Sequence, residues 1–145
     1  MIVCKFGGTS VASAEQIKKV FNIVKSNPER KVVAVSAPGK RSSEDIKVTD
    51  LLIDLAEAAL IGGDVDAKID AVVKRYEDIT SGLGLDHTMS EVIAADLRER
   101  VAGDKSNKEL FIDSLKASGE DNNAKLIAAY FNEAGIDRKS TRLNS

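Results

Sequence analysis

The chain has 145 residues, the size of one domain, and a chain of this length can bury a sizeable hydrophobic core. Its 21 basic and 23 acidic residues give a formal net charge of −2, so we expect no nucleic-acid partner. A single cysteine excludes an internal disulfide, and no apolar segment approaches the length of a membrane span. We therefore expect a cytoplasmic protein that is not associated with a membrane.

The first predicted strand, residues 2–6, is followed directly by two glycines and two hydroxyl residues. Glycine lets backbone N–H groups approach a ligand closely, because no Cβ stands in the way. Ser13 and Gln16 have the spacing of a capping box, which predicts a helix that begins near Ser13 with its positive end facing this turn. An ordinary strand-to-helix turn explains the two glycines equally well. The residues of this candidate phosphate site are Lys5, Gly7, Gly8, Thr9 and Ser10.

The second predicted strand covers residues 31–36 and is also rich in β-branched side chains. Between the strands, Ile17, Val20 and Val24 recur at helical spacing, which predicts a right-handed β-α-β unit with parallel strands. Ligands of such sheets bind beyond the carboxyl ends of the strands, where Ser36 also falls. A hydroxyl that only stabilises the turn is nearly as good an explanation of Ser36.

From Thr49 onward the apolar pattern is helical. It predicts helices over residues 49–62 and 65–76, and a third that begins at Thr88, whose spacing to Glu91 indicates a capping box. A shorter helix is predicted around residues 110–115, and a last one from about Glu120 to Gly135.

Two parallel strands leave edges open and cannot cover this many helices, so further strands are expected. Residues 135–137 have the pattern of the entry to a third strand, but residues 138–145 are polar and aperiodic. We expect residues 138–145 to be a non-native or disordered tail, with a natural frayed terminus as the alternative.

Four segments, in order along the chain, resemble aspartate kinases, which are members of the amino acid kinase family. They are residues 1–12 (MIVCKFGGTSVA), 33–40 (VAVSAPGK), 47–52 (KVTDLL) and 118–126 (SGEDNNAKL). The resemblance runs from Met1 to about Asp137. It implies an α/β fold, a three-layer αβα sandwich with a mostly parallel sheet, of which residues 1–137 form the N-terminal portion.

The resemblance also implies transfer of the γ-phosphoryl group of ATP, bound as its Mg²⁺ complex, to the side-chain carboxylate of L-aspartate. The product would be 4-phospho-L-aspartate, at the first step of lysine, threonine and methionine biosynthesis. Lys5 would be the catalytic group, since phosphoryl transfer needs positive charge beside the phosphate oxygens, and residues 7–10 would bind ATP. Ser36, Thr49 and Glu120 would bind aspartate, Thr49 as a hydroxyl donor and Glu120 as an acceptor for the amine. No residue is predicted to bind a metal.

Simpler explanations and other functions stay open. From spacing alone, Thr49 is a plain N-cap and Glu120 is an acid that favours the dipole of a first helical turn. In the family, the catalytic aspartate and the adenine pocket come from later segments, so we expect this chain to be inactive alone and the full-length protein to be a homo-oligomer. The alternatives are a relative acting on glutamate, acetylglutamate or a nucleotide, and a non-catalytic module that binds a phosphorylated metabolite.

Overall fold

The structure, a computed structural model, describes residues 1–135. Within this range two parallel strands, β1 (Ile2–Phe6) and β2 (Arg30–Val35), form the sheet, with Phe6 opposite Val35. The first predicted strand is confirmed, and the second begins and ends one residue earlier than predicted. The predicted third strand, apart from Gly135, and the predicted tail lie outside the described residues.

Five α-helices and one 3-10 turn complete the described range. They are the turn Gly8–Val11, α1 (Ala14–Lys25), α2 (Val48–Ile61), α3 (Val65–Gly82), α4 (Thr88–Val101) and α5 (Lys108–Glu133). The helix start at Ser13 is confirmed, because the Ser13 Oγ accepts the N–H of Gln16 at 3.3 Å. The 3-10 turn, which begins at the second glycine and ends before α1, was not predicted. None of the helices in residues 1–135 combines the length and the apolar character needed to cross a membrane.

The helices bury one face of the sheet. The side chains of Phe6 on β1 and of Val33 and Val35 on β2 lie on the same face of the sheet, because every second residue of a strand points to the same side. These side chains pack against the buried helical core. α1 and α5 meet through aromatic rings, with the Phe21 and Phe131 centroids 5.4 Å apart in an edge-to-face arrangement. Val3, on the other face, is 49% exposed. The predicted α/β class with a parallel sheet is confirmed.

The predicted boundary between two helices near residue 118 is wrong, because α5 continues through Ser118 and Gly119. The Ser118 hydroxyl donates to the Leu115 carbonyl within the helix, so it does not form a cap. A Cβ built on Gly119 would lie 2.7 Å from the Cβ of Ala37. The glycine therefore serves close packing between α5 and the segment after β2 and does not form a turn.

The predicted capping box at the start of α4 is also wrong. Thr88 is already the first residue of the helix, and the preceding His87 makes no side-chain capping bond. The N–H of Thr88 instead donates to Asp86 Oδ1 at 2.9 Å, a local turn that a short acidic side chain forms readily. The helix itself begins at Thr88, as predicted.

Candidate active site

The carboxyl ends of β1 and β2 are joined by backbone hydrogen bonds that continue past the strands. Ser36 N–H donates to Phe6 O at 3.1 Å, and Gly39 N–H donates to Gly8 O at 2.8 Å. A Cβ built on Gly39 would stand 2.6 Å from the carbonyl carbon of Gly8. The turn after β1 and the loop of residues 36–39 therefore form one packed unit at the end of the sheet where ligands of parallel strands bind.

The turn after β1 is open to solvent on the side of Gly7. Nothing lies within 4 Å of a Cβ built on Gly7, and Lys5, Thr9 and Ser10 are exposed. The first hydrogen bond of the 3-10 turn joins Ser10 N–H to Gly7 O, so the amides of Gly8 and Thr9 precede the bonds of the turn. Backbone N–H groups at the start of a helical turn have no acceptor within that turn, so they can donate hydrogen bonds to an anion. The predicted phosphate site therefore has room for a ligand and donors near it.

The exposed Lys5 side chain forms no ion pair with any residue of the described range. It lies next to the end of β1 and opposite Ala34 of β2 in the parallel register. A lysine whose ammonium has no carboxylate partner keeps its charge available for an incoming anion. Lys5 therefore precedes the open turn with its side chain exposed, and its role beside a phosphate stays a prediction.

Helix α2 begins beside the same loop. The N–H of Val48, its first residue, donates to Pro38 O at 3.0 Å. Lys47 occupies the N-cap position without a side-chain hydrogen bond, and the half-buried Thr49 lies in the first turn. The simpler explanation of Thr49 as an N-cap is therefore wrong. Its hydroxyl lies where the helix dipole favours an anionic partner.

The middle of α5 reaches the 36–39 loop from the other direction. Gly119 packs against Ala37, and the Asn123 side-chain amide donates to Ser36 O at 2.8 Å. Glu120 lies in the sequence between Gly119 and Asn123, the two residues that make these contacts, and it is half-buried. It sits in a helix interior and not in a first turn, so the helix-dipole explanation of Glu120 is wrong. The packing of α5 on the loop fixes the backbone that carries its carboxylate.

The 36–39 loop is therefore the point where the predicted site segments meet. It contacts the turn that follows Lys5, the start of α2 beside Thr49 and the turn of α5 that carries Glu120. Ser36 is the first residue of the loop, and the Asn123 amide holds its carbonyl. That these side chains bind ATP and aspartate stays a prediction.

Arg75, on α3, donates hydrogen bonds to the backbone of this site and was not among the predicted site residues. Its Nη2 donates to Ala12 O at 2.9 Å and to Gly39 O at 2.8 Å, and lies 3.5 Å from Asp45 Oδ2. Arg75 is 4% exposed and follows Val72 at helical spacing within the buried stripe of α3. A charged residue at a core position is unusual, and this is the signal that could have found it.

Tyr76, the next residue, contacts α5. Its hydroxyl donates to the carbonyl of Gly119 at 2.8 Å, and the side chain is 1% exposed. Burial raises the pKa of the Tyr76 hydroxyl, so the group stays protonated and remains a donor at physiological pH. The sequence pattern had predicted Tyr76 only as a core residue.

Ion pairs around the 36–47 region stabilise the loop between β2 and α2. Asp45 accepts hydrogen bonds from the Arg41 backbone N–H at 2.9 Å and from its Nε at 2.7 Å. The side-chain bond from Arg41 is the main reason why the pKa of Asp45 is lowered. Desolvation, followed by repulsion from Arg41, lowers the pKa of Arg75. Arg41 also contacts Asp78 of α3 at 3.3 Å, so its charge is engaged within the protein.

Comparisons with known proteins show the family of this chain. The model of the amino acid kinase family matches residues 1–145. Aspartokinase 3 of Bacillus subtilis is 55% identical over 136 residues, which are 94% of this chain and 30% of the relative. The chloroplastic Aspartokinase 2 of Arabidopsis thaliana is 32% identical over 141 residues, which are 92% of this chain and 25% of the relative.

Solved structures give the same result for the fold. The aspartate kinase of Clostridium acetobutylicum matches with a TM-score of 0.76 at 32% identity, over 90% of this chain and 29% of that chain. E. coli aspartokinase III in complex with aspartate and ADP matches with a TM-score of 0.67 at 25% identity, over 92% of this chain and 29% of that chain. This chain thus spans about 30% of the length of such relatives. It belongs to the amino acid kinase family.

Proposed function

We propose that this chain is the N-terminal part of an aspartate kinase, in which the complete enzyme transfers the γ-phosphoryl group of ATP to the side-chain carboxylate of L-aspartate. The observation that carries the proposal is the meeting of the predicted nucleotide and substrate segments at the 36–39 loop. The relatives named aspartokinase, and the E. coli relative solved with aspartate and ADP, support this choice of substrates.

The nucleotide half of the proposed site consists of Lys5 and the turn of residues 7–10. Phosphoryl transfer depends mainly on alignment and on positive charge near the transferring group. At a separation of about 4 Å and an effective dielectric of about 20, one ammonium and one phosphate charge attract by about 4 kcal/mol. The Lys5 ammonium would supply this attraction, while the amides of Gly8 and Thr9 orient the phosphate chain.

The substrate half consists of Ser36, Thr49 and Glu120. L-Aspartate carries two carboxylates and an ammonium, so it needs donors for the former and an acceptor for the latter. Thr49 would donate its hydroxyl at the positive end of α2, and Ser36 would donate at the end of β2. Glu120 would accept from the ammonium, which leaves the side-chain carboxylate of aspartate free to attack the γ-phosphorus.

Mg²⁺ would enter this site with the nucleotide as the MgATP complex. Within residues 1–135, no group of three or more histidine, cysteine, aspartate or glutamate side chains is placed to hold a metal ion. We therefore assign no residue of this range to the ion and derive no step through it. The cytoplasmic location, the homo-oligomer, the absence of nucleic-acid and membrane partners and the biosynthetic role belong to the same proposal.

A chimera tests the proposed reaction, because the chain spans only part of its relatives. In this chimera, residues 1–135 replace the matching segment of the Bacillus subtilis Aspartokinase 3. An acyl phosphate reacts with hydroxylamine to give a hydroxamate and phosphate, so we expect hydroxamate to form with MgATP and L-aspartate but not with L-glutamate. Equal formation of hydroxamate from L-glutamate would favour another member of the amino acid kinase family. No hydroxamate from either amino acid would contradict the proposal.

Replacing Gly7 by Ala should separate ligand binding from folding. Gly7 has φ −73° and ψ 173°, which alanine also adopts, and nothing lies within 4 Å of the added Cβ. We expect the Tm of the chimera to stay the same or rise slightly. If the phosphates lie against this backbone, the methyl group will raise the KM for MgATP about tenfold or more. An unchanged KM would remove Gly7 from the nucleotide site.

Replacing Glu120 by Gln should weaken the binding of L-aspartate rather than that of MgATP. The change keeps the shape of the side chain and removes the charge that would pair with the ammonium of aspartate. We expect the KM for L-aspartate to rise about tenfold, with the KM for MgATP changed less than about twofold. Steady-state kinetics with one substrate varied at a time measures both values. A matched control is Glu109→Gln at the exposed start of α5, which should change neither.

A further inference from the structure

Helix α3 carries two adjacent buried side chains that contact the two halves of the proposed site separately. Successive residues of an α-helix point about 100° apart, so neighbours on one helix can reach different elements. Arg75 reaches the turn after β1 and the 36–39 loop, whereas Tyr76 reaches α5. We infer that both are positioning residues for the proposed reaction, Arg75 for the nucleotide and Tyr76 for the amino-acid substrate.

Arg75 ties together the two backbone segments that form the nucleotide half. Its Nη2 donates both to Ala12 O, just past the end of the 3-10 turn, and to Gly39 O in the loop. Gly39 N–H in turn donates to Gly8 O, at the beginning of the 3-10 turn. The guanidinium therefore holds one end of this turn directly, through Ala12, and the other through Gly39 of the loop. A shift of the turn would displace the amides that are proposed to contact the phosphates.

The buried guanidinium carries a desolvation cost that its few polar contacts offset only in part. Arg75 Nε and Nη1 are buried and have no hydrogen-bond partner in the part of the chain that the structure describes. The neighbouring Asp45 already accepts three hydrogen bonds from Arg41, so it does not depend on Arg75 for a partner. An apolar side chain of similar length would avoid the desolvation of the charge. Besides the ion pair with Asp45 at 3.5 Å, the arginine adds the hydrogen bonds to Ala12 O and Gly39 O.

Tyr76 fixes the turn of α5 that precedes Glu120. The carbonyl that accepts its hydroxyl belongs to Gly119, which has no side chain of its own to set its distance from Ala37. The hydrogen bond from Tyr76 sets where this turn lies against the loop, and so where the Glu120 carboxylate is placed. This part of the inference rests on the proposed binding of the substrate ammonium by Glu120.

Separate binding measurements on the chimera test the inference. Isothermal titration gives the Kd for MgATP and the Kd for L-aspartate. We expect Arg75→Met to weaken MgATP binding about tenfold with the aspartate Kd changed less than about twofold. Tyr76→Phe removes one hydroxyl. It should weaken aspartate binding about fivefold, with the Kd for MgATP changed less than about twofold. The matched controls are Arg98→Met, an exposed arginine paired with Asp66, and Tyr130→Phe, in the aromatic cluster with Phe21.

A purely structural role would change both affinities together or change only the Tm, and either result would overturn the inference. If Arg75→Met does not melt cooperatively, Arg75→Lys replaces it. A single ammonium can reach one of the two carbonyls but not hold both, so a smaller loss confined to MgATP is expected, and no such loss would overturn the role of Arg75.

The proposed function and the inference can fail separately. If the unmodified chimera binds both ligands but forms no hydroxamate, the proposed reaction fails while the two Kd values still decide the roles of Arg75 and Tyr76. If the chimera binds neither ligand, both fail.

Discussion

Replacing Lys5 by Met in the chimera is expected to lower kcat/KM for MgATP about 10³-fold. The methionine keeps an unbranched side chain and removes the ammonium, whose attraction to one phosphate charge is about 4 kcal/mol, or about three decades in rate if it is realised in the transition state. Lys5 is exposed and forms no ion pair within the described range, so the Tm should change little.

Lys31→Met is the matched control for this variant. Lys31 is also an exposed lysine in a strand, but it lies near the amino end of β2, away from the glycine turn. Steady-state kinetics should show wild-type values for Lys31→Met. A Lys5→Met variant with less than about a threefold loss would show that the ammonium does not act on the transferred phosphoryl group.

Replacing Gly39 by Ala is expected to disrupt the site through packing alone. The new Cβ would lie 2.6 Å from Gly8 C and 2.9 Å from both Gly8 O and Thr9 N. These are backbone atoms, which cannot rotate away as the end of a side chain can. Overpacking of this kind costs about 1–3 kcal/mol, so the Tm should fall, and the displaced turn should raise the KM for MgATP as well.

Gly63→Ala provides the control for this second variant. A Cβ there would have its nearest contact at 3.5 Å, from the carbonyl oxygen of Ala58, which is ordinary van der Waals distance. Thermal melting should therefore find Gly63→Ala close to the unmodified chimera and Gly39→Ala clearly below it. Equal Tm values for the two variants would mean that the turn and the 36–39 loop can separate without cost.

The elements with local signals could be predicted from the sequence. The β1 strand, the Ser13 cap and the glycine turn depend on neighbouring residues, and each was found close to its predicted position. The break near residue 118 was predicted wrongly for the same reason, since Ser-Gly-Glu has the local pattern of a helix start. Its glycine is explained by contact with Ala37, which is distant in sequence.

The residues that hold the site together could not be found from local patterns. Arg75 bonds to Ala12, 63 residues away, and Tyr76 bonds to Gly119, 43 residues away. The partners of both are backbone carbonyls, which carry no signal in the sequence. Thr49 and Glu120 were predicted through the resemblance to a family, because the local explanation of each was an ordinary helix start.

The claim that Lys5 and the glycine turn hold the phosphates of a nucleotide is tested most directly by the preference of the chimera for MgATP over AMP. Isothermal titration of both nucleotides into the chimera and its Lys5→Met variant gives the two Kd ratios. We expect MgATP to bind more tightly than AMP to the chimera, and the preference to fall at least about tenfold in Lys5→Met while the AMP Kd stays nearly constant. An unchanged preference in Lys5→Met would contradict the account.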